Sequence, residues 1–173
     1  GDASANHSTA QGAFNAAQWT SYQSVPLPLL FVCEDNGIGI STKTPKGWIE
    51  ATFGARPGMR YFKADGLDLY DTYRVATEAA DYVRNRRKPA FLHLRTLRLY
   101  GHAGADVPTT YLPREEVEAE EAQDPLLHTV RLLDQAGVMT PAQALQVATR
   151  DVWAPLAPDE KAQVARWFAT CRG

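Results

Sequence analysis

Cysteine is nearly absent: the 173 residues hold two, Cys33 and Cys171, far apart and not in metal-ligand spacing. That argues against a zinc ligand set or a disulfide framework. With Cys33 inside an apolar, strand-like run, it predicts a reduced, intracellular protein. An excess of either charge is also missing. The formal net charge is −2, which gives no general pull toward nucleic acid or an anionic membrane. The longest apolar run, Val25 to Cys33, is broken by Pro26 and Pro28 and falls far short of the ~20 residues of a membrane-spanning helix. No repeat or low-complexity stretch occurs, and neither an initiator methionine nor a signal peptide opens the chain. A start on Gly1 within a motif reads as a cut, so the expected soluble, cytoplasmic location rests on composition alone.

What is present suffices for one ordinary core, with 45% hydrophobic and 22% charged residues. Ala10, Ala13, Phe14, Ala17 and Tyr22 predict a helix over Thr9 to Tyr22. Pro26 and Pro28 forbid its continuation, and Leu27 to Cys33 reads as a strand of the continuously apolar kind found in parallel sheets covered on both faces. Trp48 to Arg56 reads as a short helix with Trp48, Ile49 and Phe53 inward. Arg60 to Ala64 is a second strand, and Asp68 caps a helix from Leu69 to about Arg87 whose expected inward stripe is Leu69, Tyr73, Ala76, Ala80 and Val83. Arg84, Arg86, Arg87 and Lys88 close that helix as cations complementing its dipole. After Pro89, Ala90 to Leu97 is a third strand, with His93 a packed, hydrogen-bonded histidine. Strand, helix, strand, helix, strand predicts an α/β fold: a mostly parallel sheet with helices on both faces. Residues 1–112 form this core. Residues 113–173 read as a helical extension packed on it, with an acidic helix over Glu115 to Glu121 and helices opened by Asp124-Pro125, Thr140-Pro141 and Pro158-Asp159.

Two stretches carry candidate chemistry. Gly1-Asp2-Ala3-Ser4 offers a carboxylate among small residues, and Glu34-Asp35-Asn36-Gly37-Ile38-Gly39 follows a strand where parallel sheets bind ligands. Mg²⁺ takes one or two protein oxygens and fills its octahedron with water and phosphate. Asp2, the Asn36 amide oxygen and the Ile38 carbonyl suit it, and small neighbours let a diphosphate approach the backbone. The competing reading is a type I′ hairpin turn at Asn36-Gly37. Arg98 to Asp106, glycine-rich and beyond the third strand, has the composition of a mobile lid. On composition alone His102 reads more readily as an ordinary loop histidine than as a catalytic one.

Gly1-Asp2-Ala3, Phe31 to Ser41, Ala64-Asp65-Gly66-Leu67-Asp68, Arg98 to Asp106 and Asp124-Pro125 together resemble, in order, the α-type component (E1) of thiamine-diphosphate-dependent 2-oxo acid dehydrogenases of the branched-chain or pyruvate type. The resemblance covers residues 1 to about 137 and implies the thiamine-diphosphate-binding fold, diphosphate domain. By it, Asp2 and Asn36 are Mg²⁺ ligands with the Ile38 carbonyl, Ala3 and Ser4 lie against the cofactor, and Arg98 and His102 meet the diphosphate and the reacting 2-oxo acid. Histidine exchanges protons at neutral pH, and arginine offers phosphate a fixed charged fork. The family decarboxylates its substrate oxidatively and passes the acyl group to a lipoyl group on a partner acyltransferase. A β-type E1 subunit or domain is implied, in a homo- or hetero-oligomer, with no nucleic acid or membrane partner. The other readings are a non-catalytic module of the same fold, or a transketolase-like or acetoin-cleaving enzyme. Departures include Ala3 for the usual glycine, Asp35 for the first asparagine of a pair, and a longer spacing from Asp2 to Asn36. Ala103 and Ala105 replace phosphorylatable serines, which excludes kinase control at those two positions. A strand before Gly1 and the aminopyrimidine-binding half with its activating glutamate are expected to lie outside this sequence.

Overall fold

Three strands, β1 (Leu30–Asp35), β2 (Arg60–Asp65) and β3 (Ala90–Arg95), pair in parallel in the order β1-β3-β2. The computed structural model describes residues 1–147. The register is level: Leu30, Ala90 and Arg60 align at one end, and Asp35, Arg95 and Asp65 at the other. All three carboxyl ends therefore open on one edge, as the α/β reading requires.

Alternation along the strands sends neighbouring residues to opposite faces. Phe31, Cys33, Tyr61 and Phe91 share one face with Phe14 of α1 (Ser8–Tyr22) and with Ile49 and Phe53 of α2 (Trp48–Phe53). Phe53 stacks on Phe91 with centroids 4.1 Å apart, and Phe14 meets Phe31 edge-on at 4.9 Å. Each such pair contributes roughly 0.5–1.5 kcal/mol beyond its buried area. On the other face Leu30, Phe62, Ala64 and Leu92 pack against Val75 and Ala76 of α3 (Leu69–Arg86). Asp68 caps α3 by accepting from the Tyr70 and Asp71 amides at 2.8 and 3.1 Å. Arg87, at φ 52°, ends it in the left-handed region just before Pro89.

Several details differ from the sequence reading. The first strand runs Leu30–Asp35 rather than Leu27–Cys33, because the Leu27 amide is spent on the Arg87 carbonyl at 2.8 Å. Its expected two-sided burial does not hold. α3 packs mainly against β2 and β3, leaving Val32 54% exposed on the edge strand. The third strand stops at Arg95, where its partners run out at Asp35 and Asp65. Helix α2 stops at Phe53 rather than Arg56, and Trp48, expected inward, is exposed at its start. The buried stripe of α3 is Val75, Ala79 and Val83, while Leu69 and Tyr73 face outward.

The chain divides into two units, Gly1–Ala122 and one beginning at Gln123. Helix α4 (Arg114–Glu121) belongs to the first. In the second, Asp124 caps α5 (Pro125–Gln135) by accepting from the Leu126 amide at 2.7 Å. Val130 packs with Ala144 of α6 (Pro141–Val147). The helix expected from Pro158, with Val164, Trp167 and Phe168, and Cys171 lie outside the described residues. No described helix is long and apolar enough to cross a membrane.

Candidate functional site

Beyond Asp35 the chain turns sharply off the sheet. Asp35 Oδ1 accepts from the Gly37 amide at 3.0 Å and Asn36 Oδ1 from the Ile38 amide at 3.1 Å. Gly37, at φ 74°, supplies the left-handed step. Ile38 then faces Lys43 in a single antiparallel bridge, framed by Thr44 N–H to Gly37 carbonyl at 2.8 Å and Gly39 N–H to Thr42 carbonyl at 2.9 Å. Because the flanking residues carry those bonds, the Ile38 carbonyl points away from Lys43. Asn36-Gly37 is thus not a two-residue hairpin; the reversal falls later, across Gly39 to Thr42.

The opening segment folds onto this loop. Asp2 is 1% exposed, and the Thr44 hydroxyl donates to its carboxylate. A Cβ placed on Gly39 would come within 3.3 Å of the Ala3 Cβ, so glycine permits the close approach. Ser4–Asn6 form a 3-10 turn, with the Asn6 amide donating to the Ala3 carbonyl at 3.1 Å and the His7 amide to the Ser4 carbonyl at 3.0 Å; just before them the Ala5 amide donates to the Gly1 carbonyl at 3.0 Å. The Ala3 and Ser4 amides are left outside that ladder, beside the loop. Cys33 senses the same convergence: burial first, then the carboxylates of Asp35, Asp2 and Glu34, push its thiol up to about 11.

None of the ion pairs among the described residues involves Asp2. A buried carboxylate whose partner is a neutral hydroxyl is costly unless a cation joins it. No group of three or more His, Cys, Asp or Glu among the described residues could hold a metal. An ion here would draw on Asp2, the Asn36 amide oxygen and the outward Ile38 carbonyl, the hard, carboxylate-poor set that Mg²⁺ accepts.

Arg98 joins the third strand's loop to the same place. Its Nη1 donates to the Gly39 carbonyl at 2.5 Å and its Nη2 to the Tyr111 hydroxyl at 2.7 Å. Tyr111 donates in turn to Asp106 Oδ2 at 2.9 Å, which also accepts from the His102 amide at 2.6 Å. That amide, then the Tyr111 hydroxyl, hold the Asp106 carboxyl below its usual range. The His102 residue is exposed, on a loop fastened to Arg98 through Asp106 and Tyr111. The structure thus gathers Asp2, Ala3, Asn36 to Gly39 and Arg98 in one neighbourhood. Thr44 and Tyr111 escaped the sequence reading, since a lone hydroxyl in a loop carries no signal until its partner is located. His93 is buried as expected, between Asp35 and Tyr61.

Residues 1–151 match the family model described as dehydrogenase E1 component. The pyruvate dehydrogenase E1 component subunit alpha of Zymomonas mobilis is 35% identical over 143 residues, covering 80% of this chain and 38% of the relative. The corresponding subunit of Rickettsia felis is 33% identical over 131 residues, 73% of this chain and 38% of its own length. The human testis-specific, mitochondrial form is also 33% identical, over 133 residues, 73% of this chain and 32% of its own. The chain thus spans 32–38% of the length of these curated relatives. The ordered motifs, the parallel sheet and these matches agree: the chain belongs to the dehydrogenase E1 component family, as an α-type E1 component of 2-oxo acid dehydrogenases.

Proposed function

We propose that this chain is the diphosphate-binding part of an E1 enzyme that binds Mg²⁺ and thiamine diphosphate. The enzyme decarboxylates a 2-oxo acid oxidatively and hands the acyl group to a lipoyl group on a partner acyltransferase. A β-type E1 subunit or domain completes the active site within an oligomer, and the scarcity of cysteine suits the reducing cytoplasm. The observation that carries the reading is the buried Asp2 carboxylate, held by Thr44 against the Asn36–Gly39 turn with no cation among the described residues paired to it.

The bound cofactor supplies the carbanion chemistry that lets a 2-oxo acid lose CO₂. This chain's residues hold and orient. Asp2 contributes the one full negative charge to the ion, and Asn36 and Ile38 contribute neutral oxygens. Ala3 and Gly39, lacking bulk, let a diphosphate reach the backbone, where the Ala3 and Ser4 amides are free to meet it. Arg98 spends two of its five donors on Gly39 and Tyr111, and the remainder suit phosphate oxygens. His102 holds or releases a proton at the substrate.

Calorimetric titration of the assembled enzyme with thiamine diphosphate tests this. Binding is expected only with Mg²⁺ present, and is expected to be abolished in Asp2→Ala and in Asn36→Ala. Unchanged affinity in either variant overturns the clamp. His102→Ala is expected to keep cofactor binding while losing 2-oxo acid-dependent dye reduction; full activity there removes His102 from the mechanism.

A further inference from the structure

Asp35 stands beside the proposed ligand Asn36 and is tied to a hydrogen-bonded chain that crosses the whole sheet. Its Oδ2 meets His93 Nε2 at 2.9 Å, and His93 Nδ1 meets the Tyr61 hydroxyl at 2.6 Å. Tyr61 lies on β2, His93 on the central strand β3 and Asp35 at the end of β1, and the odd positions of the level register put all three on one face. His93 is 6% exposed. Burial first, then nearby carboxylates, push the Tyr61 hydroxyl well above its usual range, so it keeps its proton.

The direction of each bond follows from the donor inventory. A carboxylate only accepts, so Nε2 of His93 carries hydrogen toward Asp35. In neutral imidazole Nδ1 is then the acceptor, and the Tyr61 hydroxyl donates to it. Asp35 Oδ1 receives the Gly37 amide. Donors thus run from Tyr61 through His93 into Asp35, which on its other oxygen accepts the Gly37 amide of the turn that carries Asn36 and Ile38.

We infer that Tyr61 and His93 are positioning residues for the Asn36–Ile38 turn: they lock Asp35, which holds the Gly37 amide and so fixes where the Asn36 and Ile38 oxygens point. This rests on the clamp reading above. It also gives a physical use to a carboxylate, rather than an amide, at position 35. An asparagine would offer His93 an acceptor at only one of its two side-chain atoms. In the observed arrangement, with Oδ1 on the Gly37 amide, it would present N–H to N–H.

The test uses the assembled enzyme and reads the Mg²⁺ concentration that half-saturates thiamine diphosphate binding, with thermal melting of the ligand-free protein alongside. Removing a group that orients a metal ligand typically weakens metal affinity about 10- to 100-fold. His93→Leu keeps the apolar bulk and loses both bonds, and is expected to raise the half-saturating Mg²⁺ concentration by at least about tenfold. His93→Gln can still donate to Asp35 and is expected to restore most of that loss. Tyr61→Phe removes only the terminal hydroxyl and is expected to give a rise of a few-fold, with the protein remaining folded. If His93→Leu lowers the melting temperature but leaves the Mg²⁺ requirement at the wild-type value, His93 is a packing residue and the inference fails. The same failure follows if His93→Gln is as impaired as His93→Leu. Loss of Mg²⁺-dependent binding in Asn36→Ala beside a wild-type His93→Leu sinks this inference alone; unchanged binding in Asn36→Ala sinks the clamp itself.

Discussion

Replacing Gly101 with alanine asks whether the Arg98–Asp106 loop must close as observed. A Cβ at Gly101 would lie 2.2 Å from the Asp106 carbonyl oxygen and 3.0 Å from its carbon. Reaching even 3.0 Å from that oxygen requires a retreat of 0.8 Å (3.0 − 2.2). The obstacle is backbone, so no side-chain rotation relieves it. Asp106 is also what fastens the loop, through the His102 amide at 2.6 Å and the Tyr111 hydroxyl at 2.9 Å. A shift of that size along the first bond carries it beyond the ~3.2 Å limit of a good N–H···O contact. Misplacing a reacting group by about 1 Å costs on the order of 10²-fold in rate, so Gly101→Ala is expected to lose about that much kcat/KM in a dye-reduction assay. The melting temperature should stay near wild type, because the loop is largely exposed. Gly104 is the internal control: a Cβ there meets nothing within 4 Å, so Gly104→Ala is expected to retain activity. Wild-type activity in Gly101→Ala, or an equal loss in Gly104→Ala, refutes the reasoning.

Phe91 is 1% exposed and packs against Phe14 and Phe53; Phe91→Ala is expected to cost ~3–5 kcal/mol in denaturant unfolding. Asp68→Ala removes the cap of α3 and is expected to cost ~1 kcal/mol in the same measurement. The Cys33 thiol is raised from 9.0 to about 11, so a peptide map after iodoacetamide treatment at pH 8 should find it unlabelled while the protein is folded. Its folded value lies above the unfolded one. The stability it contributes is therefore intact below about pH 9 and lost as pH climbs toward 11. Relative to Cys33→Ala, the wild type should lose on the order of 2 kcal/mol over that range.

Periodicity and punctuation made most of the elements legible. Pro26, Pro28 and Pro89 bounded the strands, Asp68 and Asp124 announced helices, and the ordered motifs named the family before any contact was known. These signals are local, because a cap or a proline acts on its own few residues. Phases were less legible. Leu69 and Tyr73 looked inward by spacing, yet both are exposed while Val75, Ala79 and Val83 are buried, because a helix's buried stripe depends on what it packs against. Val32 likewise looked buried, although β1 lies at the edge of the described sheet. The candidate site divides in the same way. Asp2, Asn36, Ile38, Arg98 and His102 could be picked from motif chemistry, since oxygen ligands and a charged fork are properties of residue type. That Thr44 holds Asp2, that Gly39 admits Ala3, that Tyr111 ties Arg98 to Asp106, and that Tyr61 reaches Asp35 through His93 are relations between residues distant in sequence or on different elements. Only the parallel register and the fold of the loops bring those atoms within hydrogen-bonding distance, so only the tertiary structure could decide them.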